Sequence, residues 1–352
     1  MKYIGIDIGG TWIKGTLVEQ DSFDTVKIND INISKIKSPL HSQATITDFI
    51  DALHDLISGF KFNDCEIAAI GISTAGIINY HGTKVTKASE HLNVLKTDNW
   101  KTELEKKLHC TATIINDADS AAIGLSELGY LRGNKTIGVM PIGTGLGFSV
   151  WRNGRRWRPG KSLTLLGSIR LPEGSYDCSV SASKLAANDP DGNLIHVLTN
   201  AIYSIERKNY LQALVKVINS AAILYNLDEV IICGGLAGAA VDCEYPLEEQ
   251  LNHLLKNFPL ELDKPVNVTV VKEVNKLQLI GALALAKGES IASADRMVTQ
   301  YKALDTEKPY DKNLHLEKMT TSEIIKTFWK AEQEAGQCLE ESLPTISEVV
   351  DE

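Results

Sequence analysis

Two glycine turns constrain this chain more than any other feature: DIGGT at residues 7–11 and PIGTG at residues 141–145. Each follows a short apolar, β-branched run and precedes another, so each predicts a tight strand reversal. In MKYIGIDIGGTWIKGTLVEQ, strands are predicted over 2–8 and 11–18, joined at Gly9-Gly10. Glycine adopts the positive φ such turns need and leaves backbone N–H groups bare, so an anion can approach them. Thr11 adds a hydroxyl and Lys14 adds charge. Asp7 sits at the end of an apolar run, where a carboxylate is costly without a partner or a task. It suits Mg²⁺ held through water, because that ion keeps much of its hydration shell. An ordinary Gly-Gly hairpin has the same local pattern, so the choice falls to the rest of the chain.

At 352 residues the chain is long enough for two lobes and a large core. The formal net charge of -9 argues against a nucleic-acid partner. Six scattered cysteines (65, 110, 178, 233, 243 and 338), with no CxxC pair, suit a reducing cytoplasm rather than a disulfide framework or a cysteine-rich zinc site. No apolar run approaches the roughly 20 residues of a membrane span. The interrupted N-terminal run does not read as a signal peptide.

Strand and helix patterns alternate along the chain. Strands are predicted within 24–37 and over 66–72, 112–115, 135–140, 229–233 and 267–271. Helices are predicted over 46–60, 99–108, 195–225 (one or two) and 276–287. Polar and glycine-rich loops fall at strand ends. That is an α/β layout, with ligands expected beyond the carboxyl ends of the strands. Residues 289–315 read as a linker and 316–352 as a helical tail.

Four loops share one chemistry. Gly9-Gly10-Thr11 and Gly143-Thr144-Gly145 each suit phosphate oxygens. IICGGLAG, with Gly234 and Gly235, suits a nucleotide base or ribose, and IINDADS supplies an acid. Their order suits a two-lobed phosphotransferase in which each lobe brings one phosphate loop. The set resembles the ROK group of bacterial sugar kinases, which have the actin/hexokinase (ribonuclease H-like) ATPase fold with a ligand cleft between lobes. The resemblance covers about residues 1–288, with lobes expected at 1–118 and 119–288. DIGGTWIKG and IGTGLG resemble its two phosphate loops, VIICGGLAG its adenosine loop and NKLQLIGALALAKG its closing helix. GISTAGIINYHGTKV, which contains Gly76, resembles its sugar-side segment. INDADSAA resembles its catalytic segment, usually NDANAAA. The resemblance implies an ATP- and Mg²⁺-dependent sugar kinase with Asp117 as catalytic base and Asn116 as a sugar ligand. The competing role for Asp117 is a helix N-cap, a common job for aspartate. Asp119 is the expected cap, because the alanine-rich stretch begins just after it.

The pattern breaks further on. Members of the group carry a Glu-x-Gly-His segment and then a zinc-binding cysteine cluster. Here GSIRL stands in the first place, so Ser168 replaces the glutamate, no histidine appears, and only Cys178 remains of the cysteines. A zinc site needs about four ligands, so no zinc is expected. Glu173 is a candidate replacement for the missing glutamate. Nearby WRNGRRWRPGK packs four Arg, one Lys and two Trp into eleven residues. It reads as a solvated hairpin tip, or as a rim attracting an anionic sugar.

The tail, TEKPYDKNLHLEKMTTSEIIKTFWKAEQEAGQCLEESLPTISEVVDE, resembles the N-terminal segment of N-acetylmuramic acid 6-phosphate etherases and glucokinase regulatory proteins, in which a SIS domain follows. A plain amphipathic tail is the alternative. The likeness implies a fused or partner SIS domain and an amino sugar or its relative as substrate. Two further readings compete with a kinase. One is a sensing module that regulates a SIS domain, prompted by the missing Glu and His. The other is a ROK-type repressor, disfavoured because the phosphate turn begins at once and leaves no room for a DNA-binding motif before it. The resemblance also implies a homo-oligomer, expected to be a dimer.

Overall fold

The computed structural model describes residues 2–19, 31–39, 45–60, 67–79, 82–87, 90–96, 100–157, 166–172, 174–257, 266–271 and 276–288. The expected linker and tail, Glu173, and the end of the basic stretch (158–161) lie outside the described residues.

The chain builds two five-stranded sheets of the same design. The first is formed by β1 (Lys2–Ile8), β2 (Trp12–Glu19), β3 (Ser34–Lys37), β4 (Ile67–Thr74) and β7 (Thr111–Asn116). Between them come α1 (Ile46–Ser58), the small hairpin β5 (Ile77–Ile78) and β6 (Val85–Lys87), and α2 (Trp100–Leu108). After β7 the chain enters α3 (Asp117–Glu127). The second sheet comprises β8 (Thr136–Pro141), β9 (Ser149–Arg152), β10 (Arg155–Trp157), β13 (Glu229–Cys233) and β14 (Asn267–Val270). Its connections hold the short pair β11 (Arg170–Leu171) and β12 (Gly174–Ser175), then α4 (Tyr176–Val180), α5 (Ala182–Ala186), α6 (Leu194–Thr199) and α7 (Ser204–Tyr225). α8 (Gly235–Asp242) and α9 (Leu247–Lys256) follow β13, and α10 (Leu277–Lys287) follows β14.

The strand orders are β3-β2-β1-β4-β7 and β10-β9-β8-β13-β14. In each, the first three strands form an antiparallel meander and the last two add in parallel. Parallel pairing sends the loops after β1, β4 and β7 to one sheet edge. The register aligns Ile8, Thr74 and Asn116 in one row. In the second sheet Pro141 and Cys233 are partners, so the loops after β8 and β13 also share an edge.

Local sequence explains the framework. α1 starts with a capping box: the Thr45 hydroxyl accepts the Asp48 N–H, and the Asp48 side chain accepts the Thr45 N–H. Removing such a cap costs about 1 kcal/mol. Its stripe of Phe49, Ile50, Leu53, Leu56 and Ile57 is buried, and Phe49 meets Trp100 of α2 edge-on at 5.4 Å. α7, 22 residues long, covers the second sheet and ends at Asn226, whose positive φ stops the helix. α10 is apolar on all sides and buried along its length. It nests against β1, β4 and α3 because glycines let backbones touch. A Cβ on Gly71 would lie 1.7 Å from the Ala282 carbonyl oxygen, and one on Gly281 would lie 1.9 Å from that of Ser120.

Candidate active site

Asp7 and Asp117 stand at the edge of the first sheet. Asp7 is the last but one residue of β1, paired across the hairpin with Lys14 and across the parallel pair with Ser73. The Ser73 hydroxyl donates to Asp7 Oδ1 at 3.1 Å. Burial raises the Asp7 pKa, and the Lys14 charge and the Ser73 bond only partly oppose that rise. Asp117 opens α3. Burial first, and the charge of Asp7 next, push its carboxyl up to about 6; the Ala118 N–H works against this and Asp119 adds to it. A carboxyl titrating near neutrality at a helix start is suited to proton transfer.

The cap of α3 is Asn116, not Asp119 as the sequence suggested. Asn116 is in extended conformation, and its side-chain oxygen accepts the N–H groups of Ala118 and Asp119. Its amide Nδ2 donates to the Gly76 carbonyl at 3.0 Å, tying the loop after β4 to the helix start. Asp119 lies in the first turn and is 3% exposed. It accepts the Ser149 hydroxyl at 2.7 Å and Arg156 Nη1 at 3.3 Å. The helix starts three residues earlier than expected because Asn116, in extended conformation at the strand end, takes the cap, and the Asp119 side chain has a buried partner instead.

The first phosphate turn is a β-hairpin tip. The Gly9 N–H donates to the Trp12 carbonyl, and Gly10 and Thr11 are exposed. The second, after β8, is braced from several sides. The Gly143 N–H donates to the Gly145 carbonyl and the Gly147 N–H to that of Pro141. The Leu146 N–H donates to Asp177 Oδ1 at 2.5 Å. The Gly143 carbonyl accepts the Ala182 N–H, and the Ser183 hydroxyl donates to the Thr144 carbonyl. Gly143 faces open space, with no atom within 4 Å of where a side chain would begin.

The glycine loop after β13 lies against this turn. The Ile142 N–H donates to the Cys233 carbonyl, and the Leu236 N–H to the Ile142 carbonyl. Gly234 has φ +90°, and a Cβ there would fall 2.7 Å from the Ile142 nitrogen. Gly235 opens α8 beside Gly143, 3.8 Å from its Cα by the same measure.

The two sheet edges meet at the start of α3. Ala118 touches the exit of the second turn at Gly147, with its Cβ 3.0 Å from where a side chain there would begin. The Cys233 thiol is pushed up to about 12 by burial and then by the charge of Asp117. Asp7, Asn116, Asp117, the second turn and the Cys233–Gly235 loop are thereby gathered around one point. Ser168 ends a one-turn helix over Leu166–Ser168 and is exposed. In the basic stretch, Asn153 and Gly154 turn the β9–β10 hairpin with positive φ. Arg152 donates to the Thr136 hydroxyl and the Tyr225 carbonyl and lies over Trp157, while Arg156 pairs with Asp119. Two of its arginines are therefore structural ties rather than parts of a solvated hairpin tip.

Sequence reasoning missed Asp177 and the use of Asp119. Asp177 lies in SYDCSV, where Ser175 caps α4, so an aspartate there reads only as a helix-dipole residue. No local pattern announces that it holds a turn 31 residues earlier.

Among the described residues, no group of three or more His, Cys, Asp or Glu clusters as a metal site. Asp7 and Asp117, two buried carboxyls close enough to feel each other's charge, are hard oxygen donors of the kind that hold a divalent cation through water together with a ligand's phosphates. No described helix is long and apolar enough to cross a membrane.

A profile of the ROK family matches residues 3–179, half of the chain. The chain belongs to the ROK family. Among curated ROK-like relatives, the glucokinase of Streptomyces coelicolor is 29% identical over 148 residues, 42% of each chain. The polyphosphate glucokinase of Mycobacterium tuberculosis (strain H37Rv) is 29% identical over 153 residues, 43% of this chain and 53% of that protein. The matches thus span about half the length of these relatives or less. Solved structures share the fold. A ROK family glucokinase from Streptomyces griseus, in complex with glucose and AMPPNP, aligns with TM-score 0.66 at 20% identity, covering 82% of this chain and 100% of that one. A ROK family transcriptional regulator, a homologue of the E. coli MLC protein, aligns with TM-score 0.62 at 15% identity over 83% and 80%. This ROK chain therefore has the actin-like ATPase fold of two related α/β sheets, as the motif order implied.

Proposed function

We propose that this ROK protein is an ATP-dependent sugar kinase with Asp117 as its base. The observation that carries the reading is the convergence on Asp117 of both sheet edges, with the second glycine turn, the Cys233–Gly235 loop and Asp7 around it. In this reading residues 1–118 and residues 119–288 are the two lobes. The Gly9-Gly10-Thr11 tip and the Gly143-Thr144-Gly145 turn take the phosphates of ATP, with Gly9 and Gly143 shaping the turns, Gly10, Thr11, Thr144 and Gly145 meeting the phosphate oxygens, and Lys14 adding charge. Gly234 and Gly235 seat the adenosine against bare backbone. Asn116 and Gly76 border the sugar, with Ser168 on its rim.

Asp117 accepts the proton of a sugar hydroxyl as that oxygen attacks the γ-phosphorus. The bond to the β-γ bridging oxygen breaks and ADP leaves with its electron pair. Phosphoryl transfer depends mainly on positioning and charge stabilisation, so one aimed carboxylate and a ring of N–H donors suffice. Asp7 is the residue that would hold Mg²⁺ through its waters; bound there, the ion would neutralise charge on the phosphates. No zinc is part of this reading. The acceptor is a hexose or an N-acetyl amino sugar. The tail's likeness to SIS-linked segments favours the amino sugar and a SIS partner or fusion. A cytoplasmic homodimer completes the proposal.

One observation favours a second reading, a sensing module without turnover. Ser168, where the group has glutamate, is short and exposed. Mg-ATP with a panel of neutral, N-acetylated and acidic sugars separates the two. ADP release with one sugar supports the kinase and names the substrate. Sugar or ATP binding with no ADP release supports the sensor.

A further inference from the structure

The start of α3 carries a second buried carboxylate that the proposed chemistry does not use. Asp119 follows Asp117 by two residues and is almost fully buried. Its charge is met from the second sheet. The Ser149 hydroxyl, itself fully buried, donates to Oδ1 at 2.7 Å, and Arg156 Nη1 donates to Oδ2 at 3.3 Å. Ser149 is the first residue of β9, two residues after Gly147, where the second phosphate turn ends. Arg156 lies on β10, opposite Trp151 in the hairpin register. The Arg156 side chain is 15% exposed and that of Asp119 is 4% exposed, so the pair is largely shielded from water.

We propose that Asp119, Ser149 and Arg156 form a positioning clasp that registers Asp117 against the second phosphate turn. The inference rests on the kinase reading for its catalytic meaning and on this geometry for its existence. Its action follows from the connectivity. α3 leaves the first sheet, β9 leaves the second turn, and Ala118 touches Gly147 at their junction. A buried, charge-assisted pair plus a hydroxyl fixes the first helical turn to β9 more firmly than apolar contact would. Small errors in such registration are costly in transfer reactions, because reacting atoms must sit near contact distance.

The test is steady-state kinetics of the full chain with Mg-ATP and the sugar it accepts. Ser149→Ala and Arg156→Gln are each expected to lower kcat about tenfold with KM for sugar and ATP within about twofold, because only registration is lost. A purely structural role would lower thermal stability and leave kcat of the folded protein where it is. A kcat unmoved in both variants overturns the clasp. Wild-type protein that binds ATP and never releases ADP overturns the kinase reading instead, and hydrogen exchange at the Leu146 and Gly147 amides then decides the clasp: faster exchange in Arg156→Gln supports it, and unchanged exchange overturns it.

Discussion

The two glycine turns look alike in sequence and are held very differently. The first depends on its own hairpin: β1 and β2 pair along their length, the Gly9 N–H closes the tip onto Trp12, and Ser38 donates to the Thr11 carbonyl. The second has only a short isolated bridge of its own, between Ile142 and Leu146. It is shaped from outside, by Asp177, by the Ala182–Ser183 step and by the Cys233–Leu236 loop. One turn is a local structure carrying exposed donors. The other is a tertiary structure whose geometry depends on three later segments. A motif records the residue types that face a ligand; it does not record what keeps them in place.

That contrast can be broken experimentally. The largest effect is expected from Asp177→Ala, which removes the acceptor of the Leu146 N–H. Loss of the brace should lower kcat/KM for ATP by about a hundredfold, measured by ADP release, with KM for the sugar little changed. If the second turn were self-supporting, that variant would behave as wild type. Next is Gly234→Ala. The new Cβ would press on the Ile142 backbone in a positive-φ conformation, at a cost of about 2 kcal/mol, visible as a lower melting temperature. A Gly234→Ala protein as stable as wild type would mean the two loops do not lean on each other.

The base between the turns gives a pH prediction. Asp117 is protonated below about 6, so kcat should fall about tenfold per unit as pH drops below that point and be flat above it. Stability runs the other way. The folded pKa lies above the ordinary value of 3.8, so this group's contribution is fully present below pH 3.8 and is lost as pH rises through about 6. Asp117→Asn should therefore raise the melting temperature at pH 7 to 8 and leave it unchanged near pH 3.5. The smallest effect is expected at the first turn. Thr11→Ala removes one exposed hydroxyl and should weaken ATP binding about fivefold, read by calorimetry, with no change in melting temperature.

Much of the framework was legible because it is local or periodic. The Lys2–Ile8 and Glu229–Cys233 strands were read to the residue, and the strand ending at Asn116 was read to within one residue at each end. α10 was read because its apolar run is bounded by Gly288. What was not legible depends on partners distant in sequence. Asp119 was taken for a helix cap because aspartate before alanines usually is one. Its real partners come from β9 and β10, and only the folded chain brings them near. The basic stretch read as a solvated hairpin tip or an anion-attracting rim for the same reason: the sequence shows the charge of Arg152 and Arg156 and hides the hydroxyl, carbonyl and carboxylate they meet. The nesting of α10 against β4 was not legible either, since Gly71 sits inside an ordinary strand pattern.

The most direct test of the central claim is turnover and nucleotide binding of Asp117→Asn, measured on the same preparation with the sugar that wild type phosphorylates. Transfer through Asp117 predicts at least a thousandfold loss of ADP release with ATP affinity within about threefold of wild type. An Asp117→Asn protein that phosphorylates the sugar at close to the wild-type rate would contradict the assignment of the base and, with it, the account of what the two sheet edges are gathered to do.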